Sequence, residues 1–262
     1  MILLLACQDQ PQTAAETAAP EPLPDAALLR RASLDLRGRS PSPDDLLALE
    51  EDPGLLEALL DDYAEDAEFG KRMMDRYTLT YRTRVDAFVV GVNGDHDLLT
   101  DFAARTAFTA AVGQEPLRIV KRIADDDRPY TDIVTADWTM ATERLVESWP
   151  LEALEEPDDE GWLMARYTDE RPDAGVLVAN GMWWRYTSTA ENRNRGRAEA
   201  IARILLCDDR FSALIDFDLA LSDATSSDLQ ERVFTDSNCT GCHVVLEPLS
   251  SYMWGFWRNH PE

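Results

Sequence analysis

DAALLRRASLDLR, residues Asp25–Arg37, is the stretch that decides the fold class of this 262-residue chain. Its apolar spacing and basic edge predict a helix, which ends at Gly38 because glycine readily adopts the left-handed backbone of a helix C-terminus. A second helix start follows almost at once. Ser42 can cap it, Pro43 suits its first turn, and the acidic pair Asp44-Asp45 favours the positive end of the helix dipole. Helix following helix across a short break predicts a mainly α fold.

The same helical spacing of apolar residues recurs along most of the chain. Further helices are predicted over residues 55–63, 68–84, 97–111, 117–124, 130–146, 190–207 and 228–234. Residues 86–94 are the main strand-like run and end in Asn93-Gly94, a turn signal. Residues 150–171 are acidic and contain prolines, so they are predicted to form a linker or long loop.

Cys239-Thr240-Gly241-Cys242-His243 points more clearly to a cofactor than any other segment. C-x-x-C-H is the attachment pattern of c-type haem. Two thiols three residues apart can each add to one vinyl group of a single porphyrin, and the histidine that follows is held against the iron. We therefore expect one covalent haem c, bound through Cys239 and Cys242, with His243 as the proximal iron ligand.

Two other chemistries use the same cysteine spacing. Cys-x-x-Cys is half of many zinc sites and is also the active motif of thiol–disulfide exchange. A zinc site would need a second pair of ligands, and the remaining cysteines and histidines form none; they are Cys7, Cys207, His96 and His260. Thiol exchange usually places the motif early in a βαβ unit, and no such pattern surrounds it here. Cys207 follows an apolar stripe and is expected to be a buried free thiol.

The residue on the opposite side of the iron is not decided by the sequence. Met253, ten residues after His243, is one candidate for the distal iron ligand. The alternative interpretation is that Met253 and the aromatic residues around it form an apolar wall against the porphyrin, or part of the core. The remaining candidates are Met73, Met74, Met182, His96 and His260.

Charge limits the class of partner. Fifty acidic residues against 25 basic ones give a net charge of -25. Such a field repels nucleic acid and would favour a basic redox partner, although an acidic surface also serves simply to keep a protein in solution. Arg193, Arg195 and Arg197 form a basic cluster, which would contact haem propionates or an acidic partner, or else pair with surface carboxylates. No catalytic constellation accompanies these features.

The N-terminus is similar to that of a bacterial lipoprotein. Leu4-Leu5-Ala6-Cys7 resembles a lipobox, in which the cysteine becomes lipid-modified, and residues 8–24 have the composition of a flexible tether. Only six residues precede Cys7 and none is basic, so either the true start lies upstream of Met1 or the signal is not real. We expect an exported protein, periplasmic or held at the outer membrane by a lipid anchor on Cys7.

Several segments resemble one family in the same order. Arg31–Pro43 is similar to an R-x-x-L-D-L-x-G-x-x-P-x-P pattern, and Asp126–Asp137 to a D-R-P-[FY]-T-[DE]-[IL]-[LV]-T-A-D pattern. With Asn238–His243, these segments resemble the planctomycete-type cytochrome c-associated proteins, which are exported bacterial proteins with domains of unknown function and a c-type haem motif. The resemblance spans roughly Leu28 to Leu249 and implies an exported haem-c protein that transfers electrons. Family members continue well beyond the motif, so further parts of the haem pocket are expected outside this sequence.

Four regions and one function follow from these observations. The regions are a lipoprotein-like remnant and tether (1–24), a helical domain of unknown function that is bundle-like (25–150), an acidic loop and helical segment (151–232), and a c-type haem segment (233–262). We expect a one-electron carrier or electron-accepting subunit rather than a stand-alone enzyme. The alternatives are an anchored binding or structural lipoprotein with a structural or sensory haem, and a peroxidase-like haem enzyme.

Overall fold

The computed structural model describes residues 22–84, 88–91, 98, 100–189, 193–208 and 225–255. Helices dominate these residues and are joined by one three-stranded sheet, so the prediction of a mainly α fold is confirmed. The chain divides after Tyr63 into two compact units. No helix in the described ranges combines the length and the apolar character needed to cross a bilayer.

The first unit contains the stretch that predicted the fold class. Helix α1 (Asp25–Arg37) ends at Gly38, whose φ of 70° is left-handed as expected. Helix α2 (Pro43–Glu51) begins with a capping box in which the Ser42 side chain accepts from the backbone N–H of Asp45. A single 3-10 turn (Pro53–Leu55) then leads into α3 (Leu56–Ala64).

Tyr63 joins the helices of this unit. Its hydroxyl donates to Asp45 Oδ2 at 2.7 Å, and the Arg37 guanidinium carbon lies 3.3 Å from the centre of its ring. Burial, with the hydrogen bond to Asp45, raises the pKa of Tyr63 to about 12. The buried apolar core around it is small and is formed with Leu29 and Leu49.

The second unit contains the remaining elements. They are α4 (Glu68–Tyr81), α5 (Phe102–Asp125), α6 (Asp132–Thr135), β1 (Thr139–Thr142), α7 (Glu143–Ser148), β2 (Leu151–Ala153), β3 (Trp162–Tyr167), α8 (Asn180–Arg185), α9 (Arg195–Leu205), α10 (Ser226–Thr235) and α11 (Ser237–Tyr252). Short 3-10 turns lie at Gly175–Leu177, before α8, and at Met253–Gly255, after α11.

Helix α5 is the centre of this unit, since it packs against α4, α8 and β1. The sequence predicted two helices here, 97–111 and 117–124, separated at Glu115-Pro116. The structure has one 24-residue helix instead. Pro116 cannot donate the helical hydrogen bond to the carbonyl of Val112. Gly181 of α8 packs against that carbonyl. The missing hydrogen bond therefore lies inside a tight helix–helix contact rather than at a helix end.

The sheet was not predicted. Its strand order is β1-β3-β2, and both pairings are antiparallel, with Thr139 opposite Ala165 and Leu151 opposite Tyr167. The linker predicted over 150–171 is therefore wrong, because β2 and β3 lie within it. The helical prediction over 130–146 is right for α6 and for the start of α7, and wrong for β1.

The remaining secondary-structure predictions differ in detail. Of the strand-like run 86–94, only residues 88–91 are described, and they form no strand. The helix predicted over 190–207 corresponds to α9, which begins at Arg195. The short helix predicted over 228–234 lies within α10, confirming it.

Candidate functional site

The C-x-x-C-H motif lies in the first two turns of α11. Helix α10 begins at a capping box on Thr225 and ends at Asp236, where the chain turns into α11. The carbonyl of Asp236 accepts hydrogen bonds from the backbone N–H groups of Cys239 and Thr240, at 3.1 and 2.9 Å. The Thr240 hydroxyl donates to the same carbonyl at 2.7 Å. The start of the motif is therefore fixed by local bonds that its own sequence supplies.

Helical geometry places the three predicted haem residues on one face of α11. Cys239, Cys242 and His243 stand in positions i, i+3 and i+4, which are neighbours on a helix surface. All three side chains are half-buried, and both thiols are free. Cys207, expected to be a buried thiol, is free but exposed, because it follows the end of α9 in a left-handed conformation.

A carboxylate fixes the orientation of the His243 ring. His243 Nδ1 lies 2.7 Å from Glu247 Oε1, one helical turn further along α11. Arg195, the first residue of α9, donates from Nε to the same oxygen at 2.6 Å. Partial burial alone would raise the pKa of Glu247, but the hydrogen bonds from Arg195 and His243 lower it below its usual value. The ionised carboxylate can only accept, so His243 Nδ1 donates, and Nε2 of the neutral ring carries the lone pair that binds metals.

The arginines of the basic cluster predicted from the sequence have different roles in the structure. Arg195 pairs with Glu247, which agrees with the alternative of pairing to carboxylates. Arg197 is buried, with its guanidinium carbon 4.7 Å from the centre of the Trp183 ring and its Nε donating to the carbonyl of Tyr186. Arg197 is therefore part of the core that supports α9 beneath α11.

Met253, the candidate distal iron ligand, is buried among the apolar side chains of the main core. The other methionine candidates also pack into or against that core; they are Met73, Met74 and Met182. His96, His260 and the predicted lipidation site Cys7 lie outside the described residues. Within the described residues, no group of three or more His, Cys, Asp or Glu side chains is arranged to hold a metal ion.

Exposed apolar side chains precede and follow the motif in the sequence. Val244 and Tyr252 of α11 are 64% and 78% exposed, and Phe234 at the end of α10 is 69% exposed. Large apolar side chains that cluster on a surface commonly mark a binding site. Val244 and Tyr252, however, stand on the side of α11 away from Cys239, Cys242 and His243, whose face is shared with the buried Leu246 and Ser250.

Sequence reasoning missed a second polar site, which surrounds Glu115 in the core. Glu115 is 1% exposed. Its Oε1 accepts from the hydroxyls of Tyr167 at 2.6 Å and Thr139 at 2.9 Å, and its Oε2 accepts from the Gly181 backbone N–H at 3.0 Å. Burial raises the pKa of Glu115, although these hydrogen bonds partly oppose the shift. The carboxylate thereby joins α5, β1, β3 and α8.

Comparison with known proteins adds no relative: no family model matches the chain, and no curated protein or solved structure is significantly similar to it.

Proposed function

We propose that this chain is an exported c-type haem protein that transfers single electrons. The observation that carries the proposal is the face of α11 on which Cys239, Cys242 and His243 are neighbours, with His243 held by Glu247 at 2.7 Å. Two free thiols beside a histidine of fixed orientation are the residues that covalent haem attachment needs.

The motif itself supplies the groups that would hold such a cofactor. Cys239 and Cys242 would hold the porphyrin through thioether bonds, and His243 Nε2 would bind its iron. When bound, haem supplies a metal centre that changes its charge by one electron. Phe234, at the end of α10 and five residues before Cys239, is an exposed apolar side chain available for contact with a porphyrin.

Glu247 is proposed as the positioning residue of the site. A carboxylate that accepts from the second nitrogen of a metal-binding histidine fixes the ring and makes it a stronger donor. Stronger donation favours the oxidised iron, and the net charge of -25 acts in the same direction. Both effects lower the reduction potential, while the acidic surface would favour a basic redox partner.

Export and anchoring complete the proposal. The lipobox-like Cys7 supports attachment to a bacterial membrane, with residues 8–24 as the tether. The resemblance of Arg31–Pro43 and Asp126–Asp137 to exported cytochrome c-associated proteins supports the same location. One covalent haem per chain is proposed, because the sequence contains one C-x-x-C-H motif.

Haem attachment is tested by producing the chain in bacteria that contain a cytochrome c maturation system. Haem should stay with the protein after denaturation and acid extraction, and the pyridine haemochrome yield should approach one per chain. Cys239→Ser should strongly reduce that yield. Cys207→Ser, at an exposed free thiol outside the motif, is the matched control and should leave it unchanged. An unchanged yield in Cys239→Ser would overturn the proposal.

The positioning role of Glu247 is tested on the same haem-loaded protein. Glu247→Gln should raise the reduction potential, and a tenfold change in the relative binding of the two iron states corresponds to about 59 mV for one electron. An unchanged potential and absorption spectrum would show that Glu247 only supports the packing of α9.

The spectrum also separates the carrier from the other candidates. Sharp α and β bands in the reduced protein indicate a six-coordinate low-spin iron, as expected of a carrier. A high-spin spectrum that shifts when CO is added would instead favour a peroxidase-like enzyme or a sensory haem.

A further inference from the structure

A cavity of about 600 Å³ runs along one face of α5, away from the C-x-x-C-H motif in sequence. Its α5 side runs from Phe102 to Gln114, and Phe102, Arg105 and Thr109 are spaced along a single helix stripe. Twelve residues of helix extend about 18 Å. Thr83 and Phe88 also line the cavity. The cavity is therefore elongated, and its volume is within the range of small-molecule sites.

The walls are largely apolar and open to solvent. Phe102 is 83% exposed and Val89 is 63% exposed, and Phe88 lies beside them. Exposed side chains of this size, gathered along a concave surface, are suited to the apolar body of a ligand.

Arg105 supplies a cation without a partner. It is half-buried, and its guanidinium makes no hydrogen bond or ion pair with any residue in the described ranges, whereas its backbone N–H donates to the Asp101 carbonyl. Arg84, which also lines the cavity, pairs with Asp75 at 3.2 Å. In a chain with 50 acidic and 25 basic residues, a half-buried arginine that no carboxylate has paired with is available to bind an anion from outside.

Thr83 supplies an unused hydroxyl at another position in the cavity. Thr83 is 2% exposed, and its Oγ1 has no hydrogen-bond partner among the described residues. A buried hydroxyl without a partner is unfavourable. Because the Thr83 oxygen has almost no accessible surface, its side chain must rotate toward the cavity before a polar ligand atom can relieve that cost. The backbone of Thr83 packs against Gly113, since a Cβ there would lie 2.2 Å from the Thr83 carbonyl oxygen. Gly113 is eight residues from Arg105, or about 12 Å along α5.

We propose that this cavity binds an elongated amphipathic carboxylic acid with a second oxygen near its far end. The carboxylate binds Arg105, the apolar body lies against Phe88, Val89 and Phe102, and the distal oxygen pairs with the Thr83 hydroxyl. The proposal is independent of haem, because none of these residues belongs to the motif on α11.

Calorimetry with three matched probes tests the ligand chemistry on the full chain. ω-Hydroxydecanoate has both polar ends, decanoate lacks the hydroxyl, and decanol lacks the carboxylate. The expected order of affinity is ω-hydroxydecanoate, then decanoate, then decanol, with one site per chain. Absence of saturable binding of ω-hydroxydecanoate, or equal binding of decanol, would overturn the proposal.

Two variants assign the polar ends. Arg105→Gln should weaken ω-hydroxydecanoate about tenfold or more, because a charge-assisted hydrogen bond is lost. Thr83→Val should weaken ω-hydroxydecanoate several-fold and leave decanoate unchanged. The valine variant should also keep the melting temperature of the free protein, since the hydroxyl it removes has no partner.

The control is Arg31→Gln, at a 70% exposed side chain that pairs with Asp35 in the first unit. It should bind all three probes as the wild type does. If Arg105→Gln behaves like this control, or if Thr83→Val weakens both acids equally, the assignment of the polar ends is wrong.

Discussion

At the scale of single residues, Glu115 is a polar group that joins four elements of the main core. It is a fully buried carboxylate with three donors, which come from Thr139, Tyr167 and Gly181. A buried carboxylate is favourable only when its oxygens are satisfied, and here both oxygens accept hydrogen bonds. Arg171 lies over the Tyr167 ring, with its guanidinium carbon 3.5 Å from the ring centre, and supports the arrangement from outside.

Glu115→Gln should lower the free energy of unfolding by about 1–3 kcal/mol. The glutamine amide would place a donor against one of the three donors that now face the carboxylate. Urea denaturation measures the change. Glu50→Gln, at an exposed position of α2, is the control and should have little effect. Equal stability of the two variants would contradict the role given to Glu115.

The same residue makes stability depend on pH. Burial holds the pKa of Glu115 above its usual value in the folded protein. In the pH range between the unfolded-chain value of about 4.3 and the raised folded-state value, the folded chain therefore keeps a proton that the unfolded chain releases. The stabilisation linked to this proton is complete below the unfolded-chain value and is lost as pH rises through the folded-state pKa. The difference in unfolding free energy between wild type and Glu115→Gln should shrink from acid to neutral pH. Growth of that difference would contradict the raised pKa of Glu115.

Residues differ in how far the sequence alone reveals their role. Cys239, Cys242 and His243 are adjacent in the chain, so a helix is enough to bring them to one face. Glu115 gives no such signal, because its partners Tyr167 and Gly181 lie 52 and 66 residues away. Glu247 lies one turn from His243 and could have been paired with it by helical spacing, whereas Arg195 could not.

At the scale of elements, α5 and α8 approach each other closely through Gly181. A Cβ at this glycine would lie 2.2 Å from the Val112 carbonyl oxygen and 2.8 Å from Pro116 Cδ. The proline removes the hydrogen bond that this carbonyl would have accepted within α5. The small residue on α8 and the proline on α5 therefore form one contact.

Gly181→Ala should destabilise the protein by about 1–3 kcal/mol, because α8 must move away from α5. Gly241→Ala is the matched control, since it is also helical and its Cβ would meet nothing within 4 Å. That substitution should be neutral or stabilising, because alanine favours a helix over glycine by about 1 kcal/mol. Thermal unfolding of both variants measures the difference, and a similar loss in both would refute the close-contact explanation.

The elements also show where sequence patterns succeed. Helices α1 and α2 follow from local chemistry, since Gly38 and Ser42 act within a few residues of their own position. The strands do not, because β2 has only three residues and β3 has buried side chains at both Trp162 and Leu163 rather than strict alternation. Proline normally marks a helix boundary. The contact with Gly181 accounts for the place of Pro116 inside α5.

At the scale of the whole molecule, the two units have cores of very different size. The first is built around Leu29, Leu49 and Tyr63, while the second contains a large continuous core centred on α5. Small cores bury a smaller share of the chain's surface and provide less stability. The two units are thus expected to open at different free energies.

Native-state hydrogen exchange measures that difference. Amides of α1 and α2 should exchange through openings of lower free energy than those in the middle of α5, where Leu117 and Ile119 are fully buried. Equal protection of the two sets of amides, with the same dependence on denaturant, would show instead that the chain unfolds as one cooperative body.

The hydrogen bonds of Glu115 also constrain how this sequence can diverge. Loss of the carboxylate alone would leave the hydroxyls of Tyr167 and Thr139 without their hydrogen-bond acceptor. Loss of either hydroxyl alone would remove a hydrogen bond that stabilises the buried carboxylate. Changes at these three positions should therefore arise in concert, for example as apolar side chains of matching volume. As related chains are sequenced, covariation among positions 115, 139 and 167 would identify those that share this core, even where the C-x-x-C-H motif is missing.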